Sequence, residues 1–180
     1  MIYTKNFLID KNYKPDIFYR RLYDFFNLQH CKIFLETGTF NGNGVDWAVY
    51  NNHYDEIYSI EIDKLKYDYC INKFKNNNKV QIINDSSENH LKKIVPKLNK
   101  STFVYLDAHF DGNYPIINES KIILNNFYDL NNIIVCIDDE RLFSENLKIE
   151  VTNLYKLNGF IDCYLDDSMV FYKNNSFLKI

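Results

Sequence analysis

Arginine is scarce in this chain. Only Arg20, Arg21 and Arg141 occur among the 21 Lys and Arg residues, and the formal net charge is −3. A nucleic-acid surface needs a basic stripe to offset phosphates, and none stands out. The sequence therefore argues against a nucleic-acid partner. Cysteine is sparse as well. Cys31, Cys70, Cys136 and Cys163 are scattered, with no CxxC pair and no metal-ligand spacing. They read as reduced, mostly buried thiols of a cytoplasmic protein. No apolar run approaches the ~20 residues of a membrane span, and the first residues carry no signal-peptide pattern, so no membrane partner is expected. No G-x-G-x-x-G dinucleotide fingerprint is present, which argues against a nicotinamide oxidoreductase. No internal repeat or long linker interrupts the 180 residues, which are expected to form one domain around one core.

Glycine is also rare, but three of the five glycines fall together. They lie in Phe34-Leu35-Glu36-Thr37-Gly38-Thr39-Phe40-Asn41-Gly42-Asn43-Gly44. An apolar run ends in Glu36, the glycines follow, and Val45-Asp46-Trp47-Ala48-Val49-Tyr50 reads as a helix opening. Strand, glycine loop and helix together bring backbone N–H groups close to a bound cofactor.

Short apolar runs and helical patterns alternate after this point. Strands are predicted at 32–36, 56–61, 79–83, 102–106 and 132–137, and helices at 44–52, 63–75, 87–99 and 118–129. Asp63 and Ser86 or Ser87 are N-cap candidates, and Pro96 should kink or end its helix. Such alternation predicts a parallel sheet covered on both faces. A further helix at about 144–157 stops at Asn158-Gly159. Strands at 160–165 and 169–173, joined by Asp166-Asp167-Ser168, read as an antiparallel hairpin. The fold class is therefore α/β, a Rossmann-like three-layer sandwich with a mostly parallel seven-stranded sheet. Residues 1–30 read as an arm and an amphipathic helix from Pro15 to about Leu28, and residues 31–173 as the core.

The strand ends carry acids. Glu61 closes a strand about 20 residues after the glycine loop, where Rossmann-like folds place an acid on ribose hydroxyls. A carboxylate can accept from both of them. Asp85 and Ser86 follow the third strand. Asp107 ends Val104-Tyr105-Leu106-Asp107-Ala108-His109, and Asp138 and Asp139 end Val135-Cys136-Ile137-Asp138-Asp139-Glu140. Parallel strands put their carboxyl ends on one edge, so Asp107, Asp138 and Asp139 are expected to converge. Three such carboxylates repel one another and need protons or a cation, and hard oxygen donors suit Mg²⁺, Mn²⁺ or Ca²⁺. His109, flanked by Asp107 and Asp111, is a candidate general base or acceptor-orienting group.

The E-x-G-x-x-x-G-x-G spacing resembles motif I of the class I S-adenosylmethionine (SAM) methyltransferases. From Phe34 to about Tyr172 the chain resembles a group of small methyltransferase-like proteins in bacteria and viruses. The shared marks are Glu36-Thr37-Gly38-Thr39, Tyr58-Ser59-Ile60-Glu61, Asp85-Ser86-Ser87, Leu106-Asp107-Ala108-His109, Ile137-Asp138-Asp139 and Pro115-Ile116-Ile117-Asn118-Glu119. More distantly, the strand-end acids resemble those of metal-dependent O-methyltransferases acting on catechols or sugars. The resemblance implies SAM as cofactor. Glu36 would face its ammonium, and Gly38, Thr39, Asn41 and Gly42 its methionine half. Glu61 and Ile62 would hold its ribose side and Asp85 and Ser86 its adenine, with Asp107 beside it. Asp107 and His109 would be catalytic, and Asp107, Asp138 and Asp139 would hold a metal. The D/N/S-P-P-Y motif of amino-methyltransferases is absent. The expected activity is O-methylation of a small polar acceptor such as a sugar or sugar-nucleotide hydroxyl, with Tyr105, Phe110 and Tyr114 available for stacking. Methylation of nitrogen or of a phosphorus-containing group, or a non-catalytic SAM- or nucleotide-binding module, are the alternatives. With no long lid in the sequence, the acceptor pocket is expected to be either shallow or completed by residues 1–28 or by a second protomer in a homodimer.

Overall fold

The computed structural model describes residue 22, residues 25–109 and residues 112–178. Most of the helix expected from Pro15, and the loop positions Phe110 and Asp111, lie outside the described residues. The strands are β1 (Ile33–Thr37), β2 (Glu56–Glu61), β3 (Val80–Asn84), β4 (Thr102–Leu106), β5 (Ile133–Ile137), β6 (Ile161–Leu165) and β7 (Ser168–Tyr172). The helices are α1 (Asn43–Asn51), α2 (Lys64–Phe74), α3 (Ser87–Ile94), α4 (Ile116–Asn126) and α5 (Glu145–Leu157).

One seven-stranded sheet has the order β3-β2-β1-β4-β5-β7-β6. The first five strands are parallel, and β7 runs antiparallel between β5 and β6. The four strands β1, β4, β5 and β7 are buried along their whole length, while β3 and β6 at the edges are mixed. Burial on both faces explains why the central strands read as continuous apolar runs rather than as alternation.

The two faces differ in chemistry. Phe34 on β1 and Phe103 and Tyr105 on β4 point to one side, and meet Trp47, Tyr54, Cys70, Phe74, Leu22 and Phe26. Ile33, Leu35, Val104, Leu106, Ile133 and Val135 point to the other, under α3, α4 and α5. On that face Tyr155 stacks on Phe171 at 4.1 Å.

Local signals act where the sequence places them. The Asp63 side chain caps α2 by accepting from the N–H of Leu65 at 2.7 Å and of Lys66 at 3.1 Å. Ser86 caps α3 through the Asn89 N–H at 3.3 Å. Pro96 ends that helix early, so a 3₁₀ turn at Val95–Lys97 replaces its expected last turn. Helix α4 starts two residues before its expected position because Pro115 stands at its N-cap. The β6–β7 turn is Asp166-Asp167, with Asp166 in the left-handed region. Strand register brings Thr37, Ile60, Leu106 and Ile137 level. The residues that follow therefore emerge along one edge.

Candidate active site

That edge carries a cavity of about 550 Å³, within the usual range for a small-molecule site. Its wall includes Gly38, Phe40, Glu61, Ile62, Ser86, Ser87, Asp107, His109 and Asp139. Of the residues expected to meet the cofactor, Gly38, Glu61, Ile62, Ser86 and Asp107 line it. Glu36, Thr39, Asn41, Gly42 and Asp85 are not part of its wall.

Gly38 crosses the end of β4 so closely that a Cβ would lie 2.3 Å from the Asp107 carbonyl oxygen, and its φ is +83°. Gly42 serves packing. A Cβ there would meet the Phe74 ring at 2.7 Å and Cys70 Sγ at 3.3 Å. Four of the loop N–H groups are already engaged. Gly38 and Thr39 donate to the Ile60 carbonyl at 2.9 and 3.3 Å, Phe40 to Glu61 Oε2 at 2.7 Å, and Gly42 to the Thr39 carbonyl at 2.7 Å. The loop therefore offers the cavity shape and close approach more than free donors.

Beneath it, Glu36 is buried. It accepts from Ser59 Oγ at 2.5 Å, and Ser59 in turn contacts Thr39 Oγ1 at 2.6 Å. Burial pushes the Glu36 carboxyl up to about 8. Nearby Glu61 and Asp46 add to the shift, while the Ser59 hydrogen bond and Lys73 oppose it. Glu61 is fixed from both sides, since its Oε1 accepts from the Asp63 N–H at 2.8 Å while its Oε2 holds Phe40. Each oxygen keeps a further lone pair for a ligand hydroxyl. Asp85 is committed elsewhere. It accepts from the Ser86 N–H at 2.9 Å and from Lys93 Nζ at 2.7 Å, with His90 Nδ1 at 3.5 Å, and these partners hold its carboxyl below the usual range.

At the other end, the expected three-carboxylate group does not form as read. Asp138 turns inward and accepts from Tyr105 Oη and from Ser168 Oγ at 2.8 Å. Asp107, His109 and Asp139 are the residues brought together, with one ligand atom from each inside 4.8 Å. His109 Nε2 lies 2.9 Å from Asp139 Oδ2 and 3.7 Å from Asp107 Oδ1. The Asp107 carboxyl is pushed up to about 9, by burial first and then by Asp138, Glu36, Asp139 and Glu119. Two carboxylates and an imidazole, with one acid this reluctant to ionise, fit a divalent cation.

Sequence reading missed Arg141. Its guanidinium bridges Asp139 Oδ1 at 2.7 Å and Asp167 of the β6–β7 turn. The Arg141 and Glu140 N–H groups also donate to Asp167 at 2.9 and 2.8 Å. Nothing local signals this link, because the partners are 26 residues apart. The stacking group is corrected too: Tyr105 is a core residue, and Tyr114 packs on Phe143.

No protein-family model matches the chain, and no curated protein matches it. Solved structures do. A precorrin-6y C5,15-methyltransferase from Geobacter metallireducens matches with TM-score 0.65 at 7% identity, over 96% of this chain and 94% of that one. The methyltransferase of Podospora anserina, solved with S-adenosylhomocysteine (SAH) bound, gives 0.60 at 17% identity, over 79% and 72%. An O-methyltransferase from Bacillus cereus, in complex with SAH, gives 0.57 at 12%, over 80% and 74%. The chain thus has the α/β fold that these methyltransferases share.

Proposed function

We propose that this protein is a SAM-dependent methyltransferase acting on a hydroxyl of a small polar acceptor. The observation that carries the reading is one cavity with two unlike ends. Glu61 is set to accept from vicinal hydroxyls at one end, and Asp107, His109 and Asp139 cluster at the other. When bound, SAM supplies an electrophilic methyl group. The chain holds the nucleoside through Glu61, with Ile62 and Ser86 on the same wall. Glu36, under the loop, returns to its charged form when an ammonium group comes near. At the acceptor end Asp139 fixes one nitrogen of His109, and the imidazole takes the hydroxyl proton as the oxygen attacks. A divalent ion would instead be held by Asp107, Asp139 and His109, whose one lone pair would then be on the ion; its chemistry would be to lower the acceptor pKa in place of the imidazole base. An imidazole in the set favours Mn²⁺ over Mg²⁺ or Ca²⁺.

A sugar-type hydroxyl suits the acidic, hydrogen-bonding wall, to which Asn113 and Glu88 also belong. Lys66 is the basic side chain on that wall, which disfavours polyanionic acceptors. The test is methyl transfer from labelled SAM to nucleotide sugars, catechols and small amines, with EDTA, Mg²⁺ or Mn²⁺. Turnover of sugar hydroxyls, abolished by His109→Ala, is expected. Turnover of amines alone, indifferent to His109→Ala, overturns the acceptor assignment.

A further inference from the structure

The acceptor end of the cavity carries a cation of its own. Among the described residues, Arg141 is the one Lys or Arg side chain in an ion pair with Asp107, Asp138 or Asp139. Asp139 is shared there between two partners. Its Oδ1 lies 2.7 Å from Arg141 Nη2, and its Oδ2 lies 2.9 Å from His109 Nε2. The other arm of the guanidinium pairs with Asp167 in the β6–β7 turn. Asp167 is fixed to this segment even without that pair. Its Oδ1 accepts the Arg141 N–H at 2.9 Å, and its carbonyl accepts the Glu140 N–H at 2.8 Å.

A guanidinium and a divalent ion compete for Asp139. Both draw on one carboxylate, and the two cations would stand a few Å apart and repel. The guanidinium is also easily moved. Its side chain is 62% exposed, and an ion pair so open to water contributes little. When it leaves Asp139 its charge is not stranded, because Asp167 already holds the other arm. Glu140 offers no third seat, since it is paired with Lys148.

We propose that Arg141 is a built-in counter-ion, which holds Asp139 while no metal is bound and yields it to a divalent ion by withdrawing onto Asp167. The inference rests on the reading of Asp107, His109 and Asp139 as a cation-binding group. With Arg141 on Asp139, the carboxylate is neutralised and His109 stays available as a base. With an ion on the three ligands, the guanidinium keeps only its seat on the β6–β7 turn. Arg141 thus sets how much divalent ion the site requires. It touches neither the acceptor nor the transferred group, and it is a positioning residue.

The experiment is titration of Mn²⁺ into the protein, read as loss of the paramagnetic resonance signal of the free ion. The proteins are the wild type, Arg141→Met, Asp167→Asn and the double variant. The uptake that His109→Ala removes is assigned to this site. Arg141→Met is expected to bind Mn²⁺ at least about fivefold more tightly than wild type. Arg141→Gln is expected to do the same, which keeps the test open should the apolar side chain disturb the turn. Asp167→Asn keeps an acceptor for the Arg141 N–H but loses the charge of the second seat, and is expected to bind about threefold more weakly. In the Arg141→Met background the same change should matter by less than about twofold, because Asp167 acts through the guanidinium. Equal or weaker uptake in both Arg141 variants overturns the inference. An equal effect of Asp167→Asn in the two backgrounds also overturns it, since that is the mark of a general field. No His109-dependent uptake by wild type or by Arg141→Met removes the cation-binding reading and the counter-ion together. Uptake by both with equal affinity removes the counter-ion alone.

Discussion

The two ends of the cavity handle their acids in opposite ways. Where β2 and β3 end, each carboxylate has donors in place, and buried Glu36 on β1 is the one acid on that side pushed toward its neutral form. Glu61 takes two backbone N–H groups, Asp63 caps α2, and Asp85 is held by Lys93 and Ser86. Where β4 and β5 end, carboxylates crowd one another. Asp107 is pushed toward its neutral form, and Asp139 sits in the left-handed region with φ 58°, shared between His109 and Arg141. Around Glu61 the first end is complete and suits a neutral group with hydroxyls. The second carries unresolved repulsion, and a proton or a cation relieves it. Preorganisation thus suits binding at one end, and stored electrostatic tension suits chemistry at the other.

The sharpest way to break this comparison is at Gly38, where the two ends touch. Gly38→Ala forces a Cβ into the Asp107 carbonyl at positive φ, and a loss of about 3 kcal/mol or more is expected in urea unfolding. Gly159→Ala, also at positive φ but with its nearest contact 3.5 Å away, should cost only about 1–2 kcal/mol. Next in size is Asp139→Asn. Loss of the group that fixes His109 should lower methyl-transfer kcat by about 100-fold, while SAH affinity stays within about threefold. A parallel loss of both would mean that the ends are not separable. Glu61→Ala should weaken SAH by about 1.4 kcal/mol, a factor of ten, in calorimetry. Asp85→Ala should leave that affinity within about twofold, because its carboxylate is held by Lys93.

The smallest effect is on pH. Glu36 binds its proton more tightly in the folded chain, at about 8 against an ordinary 4.5. Its contribution to stability is therefore complete below about pH 4.5 and lost as pH rises through about 8. Asp107 acts in the same direction, up to about 9. Tm of the ligand-free protein should fall across this window, and Glu36→Gln should flatten the fall. A rise in Tm over the same range would contradict the buried, protonated acid.

Strands and helices were legible to within two residues almost everywhere, because fully buried strands print as unbroken apolar runs and the caps are local. The order of the last three strands was not, since nothing in 160–173 records that β7 pairs with β5 before β6 is placed. The candidate site divides in the same way. Glu61 could be placed from its spacing, and it lines the cavity. Which of Asp138 and Asp139 faces the cavity depended on one left-handed backbone turn at Asp139 and on two hydroxyls, Tyr105 and Ser168, from distant strands. Asp85 was drawn away by a lysine eight residues on, which sequence spacing alone equally permits to point outward. Glu119 carried a motif but no visible role, because its burial against Ser87 and Thr37 is a property of the packed molecule.

The aromatic face has an experimental use. The chain's one tryptophan, Trp47, lies wholly on that side of the sheet, packed among Phe34, Tyr54 and Phe103 within 5.8–6.2 Å. It belongs to α1, the helix that the glycine loop feeds. Its emission is therefore a one-sided lamp, which watches the loop and its supporting helix while the opposite face, without a tryptophan, stays dark. A fluorescence melt compared with a circular-dichroism melt of the same sample sets the packing around Trp47 against the secondary structure of the whole chain, and any gap between the curves measures how far that face loosens ahead of the rest.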